Sequence, residues 1–144
     1  MAGKSFTAQV KDWTSLTKRN QEFVAKQAIQ DVLEGAQTTQ VGVTAGASGF
    51  VEGKIPVADA DLVNSLTVGG AVGDDAYVVA IAGMEIGDYL SFKWTAPYAR
   101  RIELGFSGTD SMGRTYEQAG RFFVTRNAER FSEFVANRVR EVRT

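Results

Sequence analysis

Between Thr14 and Ala36, the residues Leu16, Phe23, Val24, Ala28, Val32 and Leu33 recur at near-helical spacing, with Gly35 close to the end of the run. A helix of that length with one apolar face must lay that face on something, and this need restricts the fold more than any other feature. A second such stretch lies at the far end of the chain. Over Thr115 to Val142, Phe123 or Val124, Ala128, Phe131, Val135 and Val139 or Val142 form a stripe, with Phe134 beside it. Between the two stretches, three segments read as strands: "NSLTVGG" at 64–70, "AYVVAIAG" at 76–83 and "DYLSFKW" at 88–94. The last alternates, with Leu90, Phe92 and Trp94 on one side and Tyr89, Ser91 and Lys93 on the other, as a strand with one buried face does. Glycine and aspartate in "VGGAVGDDA" and "GMEIGD" stand at hairpin-turn spacing, which predicts a meander.

The segment at 37–54 is rich in Gly, Thr and Ala and reads as a flexible loop carrying a short strand around Gly49 to Glu52, while "GFSGTDSMG" at 105–113 reads as an exposed loop. The expectation is therefore a single α+β domain over residues 1–144. It comprises a long N-terminal helix, an antiparallel sheet of about four strands, a short helix and a long C-terminal amphipathic helix packed on the sheet.

Composition removes most catalytic chemistry. The chain of 144 residues holds neither cysteine nor histidine, so disulfides, thiolate nucleophiles, the usual zinc ligands and every Ser-His or Cys-His pair are excluded. Carboxylate, lysine, tyrosine and carboxylate-bound magnesium chemistry survive. Ser15 and Lys18 fit an S-x-x-K pattern, but they sit in a helical segment without the S-D-N or K-T-G elements that accompany it. Asp59 with Asp61, and Asp74 with Asp75, could face a cation, although neighbouring acids usually serve turns and caps. The glycines of "VGVTAGASG" and "VGGAVGDD" fit neither a phosphate-binding loop nor a dinucleotide fingerprint. The reading is that the protein is not an enzyme and uses no cofactor or metal. No run reaches the roughly 18 apolar residues of a membrane span, and "MAGKSFTAQVKDW" lacks the apolar centre of a secretory signal, so a soluble protein made inside a cell, with no membrane partner, is expected.

The net charge of −1 hides an uneven distribution. Residues 1–30 carry +3, residues 31–92 carry −8 with Lys54 as their single base, and residues 93–144 carry +4, nine of their ten bases being arginine. Such a dipolar chain suits head-to-tail or ring association between identical copies, although charges that simply mix on a solvated surface are an equal alternative. In the final stretch Glu129 can pair with Arg126, and Glu133 with Arg130, at a helical spacing of three, and Glu117 with Arg121 at four. The overall acidity and weak basic clustering argue against sequence-specific DNA recognition.

The stretch "TAPYARRIELGF" at 95–106 predicts a short capped helix of about two turns, with Thr95 as its cap, Pro97 in its first turn and Gly105 at its end. Tyr98 and Ile102 share a face, and Arg100 and Glu103 can pair three residues apart. An ordinary capped helix accounts for Pro97, Ile102 and Gly105, and accounts less well for the adjacent Arg100 and Arg101.

These residues also carry a resemblance. "IPVADADLVNSL" at 55–66 resembles the P-V-D-T-G-x-L-R-x-S segment of tail-completion and neck (head-to-tail joining) proteins of long-tailed bacteriophages, matching at Pro56, Val57, Leu62 and Ser65. "APYARRIELGFS" is similar to that family's P-Y-A-x-x-[IL]-E-[YL]-G run at Pro97, Tyr98, Ala99, Ile102, Glu103 and Gly105. "GRTYEQAGRFFVTRNAERFSEFV" resembles its final amphipathic helix with a G-R-F-F approach. Ala58, Asp59 and Ala60 stand where the family has D-T-G, and Val63 where it has arginine.

The resemblance implies a virion structural protein at the capsid-tail junction, made in the host cytoplasm and forming a homo-oligomeric ring, such as a hexamer, around the DNA channel. Its implied partners are the tail tube or tail terminator and the head connector, with DNA passing through unread. Tyr98, Arg100, Arg101, Glu103, Arg114 and Arg121 are the interface residues it suggests. Three other readings stand beside it: a tail terminator capping the tube, a carboxylate-dependent hydrolase or lyase using Asp59, Asp61, Asp74, Asp75 or Glu103, and an adhesion module displaying Trp13, Tyr77 or Tyr89.

Overall fold

A computed structural model describes residues 3, 5–41, 52–57, 61–109 and 111–143, and the fold is α+β. Helix α1, Phe6–Ala36, has 31 residues, about 46 Å at 1.5 Å per residue. It begins well before Thr14 because Ser5 caps it, the Ser5 Oγ accepting from the Ala8 N–H at 3.2 Å. At its other end the Gln37 N–H donates to the Leu33 carbonyl at 2.9 Å.

The strands form three small sheets where one sheet of about four strands is expected. Strands β1, Thr39–Val41, and β2, Ile55–Val57, pair in parallel. Strand β3, Leu66–Val68, is the centre of an antiparallel sheet flanked by β4, Ala71–Val72, and β5, Phe92–Trp94. Strands β6, Gly105–Thr109, and β7, Thr115–Ala119, form a hairpin. The helices α2, Asp61–Asn64, α3, Ala76–Ala82, α4, Ala99–Leu104, α5, Thr125–Glu129, and α6, Phe131–Val142, complete the order.

Several expectations are corrected. Residues 76–83 are not a strand: α3 buries Ala76 and Ile81 and packs Tyr77 and Ala80 inward, while Val79 stays 80% exposed, a one-sided environment that suits a helix of this sequence. The expected strand at 64–70 is the end of α2 followed by β3, and only Phe92–Trp94 of the segment at 88–94 is paired. The expected loop at 105–113 contributes β6, and 37–54 contains β1; residues 49–51 of the strand expected there lie outside the described residues.

The expected long helix from Thr115 is interrupted. Its first residues are β7, and Gly120 then passes so close to the end of α4 that an added Cβ would stand 2.6 Å from the Glu103 carbonyl oxygen. Phe122 follows with φ of 50°, and Arg130 closes α5 and opens α6. Nor does α6 lie across the sheet: it runs antiparallel along α1, with Val139 and Val142 near Thr17 and Asn20, and Arg130 and Phe134 near Glu34 and Thr38.

The core has two clusters, fed by successive turns of α1. Ala36 joins Ile55, Leu62, Val63 and Phe123, whereas Leu33 joins Leu66, Val68 and Ala76. Trp94 packs against both and meets the Phe123 ring edge-on at 5.2 Å between centroids. Its indole N–H donates to Gln37 Oε1 at 2.7 Å, and Gln37 Nε2 donates to the carbonyls of Val63 and Asp74, each at 2.9 Å. One amide at the end of α1 therefore ties together β5, α2 and the approach to α3.

Candidate interaction surfaces

Alpha helix α1 is anchored along its second half and bare along its first. Ala28, Leu33 and Ala36 are buried, whereas Phe6 is 81% and Trp13 67% exposed, with Val10 and Leu16 also open to solvent. Phe6, Val10 and Trp13 are spaced four and three apart, the same face that Val24 presents to α6 further along. Helix α6 ends at Val142, beside Leu16 and Asn20, so the apolar stripe runs on past the end of its cover. Where α1 and α6 do meet, they leave an apolar cleft of about 400 Å³ between Val24, Phe131, Val135 and Val139. Asp31 closes the same seam on its polar side, accepting from Arg138 Nε at 2.9 Å and Nη2 at 2.7 Å. That bidentate bond holds the Arg138 guanidinium above its ordinary pKa.

A second apolar surface lies on α3 and the turn after it. Val79, Ile86 and Tyr89 are exposed, Tyr89 to 89%. The acids around it are Asp74, Asp75, Glu85 and Asp88, all exposed. Asp88 Oδ2 accepts from the Glu85 N–H at 2.8 Å and so fixes the turn. No lysine or arginine occurs between Lys54 and Lys93. Tyr77, partly buried here, has its phenol pKa raised, first by burial and then by Glu34, Asp74 and Asp75. Lys26 of α1 donates to the Ala82 carbonyl at 2.9 Å, placing the end of α3 against the middle of α1.

Of the six residues suggested by the family resemblance, Tyr98, Arg100, Arg101 and Glu103 lie on or beside α4, Arg121 meets that helix through its backbone, and Arg114 stands at the start of β7. Tyr98 precedes α4 and is half-exposed; Arg100 and Arg101 are exposed on that helix. Arg100 borders a groove with Phe92, Trp94 and Phe123 and makes no bond to Glu103 among the described residues. The Glu103 carboxylate turns instead to the start of α5, where it accepts from the N–H groups of Val124 and Thr125, each at 2.9 Å, and from the Thr125 hydroxyl at 2.6 Å. Arg114 is exposed beside β7, its Nη2 4.0 Å from the Met112 sulfur.

Arg121 differs most from expectation. Expected on an open helical face, it is 6% exposed because the chain between β7 and α5 runs inward, its N–H donating to the Ile102 carbonyl at 2.7 Å. Burial lowers its guanidinium pKa. Glu117, its expected helical partner, belongs to β7. Thr95 does not cap α4: its N–H and hydroxyl both donate to the Ser65 carbonyl at 3.2 Å. Gly105 does end the helix, with φ of 79°.

Of the three aromatics expected as exposed anchors, Trp13 and Tyr89 are open to solvent, Tyr77 is partly buried against the core, and Phe6 and Val10 join Trp13 in a stripe that was not expected. Ser5 as a cap, followed by apolar residues at four and three, was the available signal. Among the described residues no group of three or more Asp or Glu side chains is placed to hold a metal ion, and Asp59 lies outside them. No helix among them is long and apolar enough to cross a membrane. Compared with family models, curated proteins and solved structures, the chain matches none.

Proposed function

We propose that the protein is a virion structural component of the tail-completion or head-to-tail joining kind, working by contacts with copies of itself and with adjoining virion parts. The observation that carries this reading is the bare half of α1, a helical rod presenting Phe6, Val10, Trp13 and Leu16 to solvent. Contiguous apolar surface on that scale marks contact with another macromolecule. The sequence resemblance at Pro97–Gly105 and Pro56–Ser65 says which kind of assembly. In that assembly the copies form a ring at the capsid-tail junction, the tail tube and head connector are the neighbours, and DNA crosses the centre without being read.

The test is reconstitution. Purified protein added to tail tubes and DNA-filled capsids of the phage that encodes it should yield joined particles, with density for it at the junction by electron microscopy. Density at the tube end in particles that have not yet met a capsid would make it a tail terminator. Protein that binds neither particle would overturn the reading.

A further inference from the structure

We infer that in the free protein the bare half of α1 pairs antiparallel with the same half of a second copy, about a two-fold axis between Val10 and Trp13. The pairing holds for the free protein whichever assembly it later joins. Phe6, Val10 and Trp13 occupy successive turns of one helix within an arc of about 60°, so they form one continuous stripe. Thr17 carries it to the point where α6 begins to cover the same face. Lys11, Asp12, Lys18 and Arg19 all lie roughly 110° or more round the helix from the centre of the stripe, and the bordering Gln9, Thr14 and Gln21 are uncharged. A second stripe of the same kind therefore meets it without bringing like charges together, whereas a charged surface would lose its hydration there without gaining a partner.

The spacing along the stripe matches a second copy. Phe6, Val10, Trp13 and Thr17 follow one another at steps of four, three and four, a series that reads the same from either end. Two such helices laid antiparallel keep step: Val10 packs beside Trp13 of the second copy, and Phe6 reaches its Thr17. Thr17 stands at one end of the apolar cleft between α1 and α6, with Val139 and Val142 on the opposite wall, and every side chain lining that cleft is uncharged. The incoming Phe6 thus has an apolar seat, and symmetry provides two of them. Glu141 at this end lines the neighbouring groove with Leu16, Arg19 and Phe23, where Arg138 donates to it at 2.9 Å.

The direction of pairing follows from α6, which ends at Val142 beside Leu16 and Asn20. In a parallel pair, α6 of each copy would stand in the path of the other's α1 from Thr17 onward; in an antiparallel pair the incoming helix begins there. Phe6 and Trp13 together leave roughly 300 Å² of aromatic surface open per copy, and they cover a similar area on the partner. Over both copies the contact buries about 1,200 Å², the lower edge of specific interfaces. The dimer is therefore reversible, as a free form must be if its stripe is later to meet another neighbour. A two-fold contact closes at two copies and does not itself build a ring.

The experiment exchanges charge across the axis. Val10→Lys and Trp13→Glu, each in the full-length chain, alter exposed positions, so both variants should melt like the parent. In sedimentation velocity the parent should pass from monomer to dimer with concentration and stop there, and each variant alone should need at least tenfold more protein to do so. Mixed in equal amounts, the two should dimerise at concentrations where neither does alone, because the introduced lysine of one chain then meets the introduced glutamate of the other. The chain has no cysteine, so Phe6→Cys mixed with Thr17→Cys should give a disulfide-linked pair under mild oxidation. Phe6→Cys alone should not link, since in the antiparallel pair its two copies stand about 16 Å apart along the axis, beyond the roughly 7 Å that a disulfide spans between Cα atoms.

A parent that stays monomeric throughout, or a mixture no more associated than its components, would overturn the inference. Growth of the parent past a dimer would mean a head-to-tail contact instead, and a Phe6→Cys chain that links to itself would mean parallel pairing; either overturns it as well. Particle joining, measured separately with the same preparations, decides the functional reading. Joining by a protein that never dimerises leaves that reading standing while this one falls, and a dimer that binds neither capsid nor tail tube does the reverse.

Discussion

Gln37 joins three distant parts of the chain through a single amide that receives the Trp94 N–H and donates to two carbonyls. Gln37→Ala strands the Trp94 N–H and the Val63 carbonyl in a partly buried setting, and a loss of about 1 to 3 kcal/mol is expected by urea denaturation. Tyr77 gives the molecule a pH response. Its phenol pKa is raised in the fold, so the neutral form is favoured and its contribution is whole below the unfolded value of about 10. As pH climbs past that value, the unfolded chain loses its proton first and stability falls until the folded phenol ionises too. Melting temperature followed from pH 9 to 12 should drop less steeply in Tyr77→Phe than in the parent.

Among the elements, the α1–α6 pair offers two kinds of ion pair for comparison. Asp31 and Arg138 are 17% and 25% exposed in their side chains and meet through two bonds, whereas Arg130 and Glu133 are both more than half open to water. A double-mutant cycle to alanine should therefore give about 1 kcal/mol or more of coupling for the first pair and no measurable coupling for the second.

These elements also show what was legible in the sequence. The anchored half of α1 and the turn at Gly105 were readable because periodicity and a glycine with positive φ are local signals. Residues 76–83 form a helix where a strand is expected, because a run of β-branched and small apolar residues suits either and its setting against α1 and β3 decides between them. The interruption at Gly120 and the role of Glu103 depend on groups about 20 residues apart, and the Trp94–Gln37 bond joins residues 57 apart. No spacing rule reaches that far. Of the surfaces, the aromatic members could be read, but the point where α6 stops covering α1 could not.

For the whole molecule, stability is unevenly shared. Amides of α1 from 29 to 36 sit over two core clusters, while those from 6 to 16 have only their own helix to protect them. Hydrogen exchange of the dilute protein should be orders of magnitude faster in the first group of turns than over the clusters, and should slow there when the protein assembles. Equal protection along the helix in the dilute state would mean that the stripe is already covered.

That division along α1 separates two demands that proteins usually meet with the same residues. The outer turns grow from a helix already nucleated by the core, so they need no burial of their own to form. Substitutions there can strengthen, weaken or redirect attachment while the melting curve stays where it was. Affinity in this molecule is thus adjustable from the tip of a rod, independently of the body that supports it.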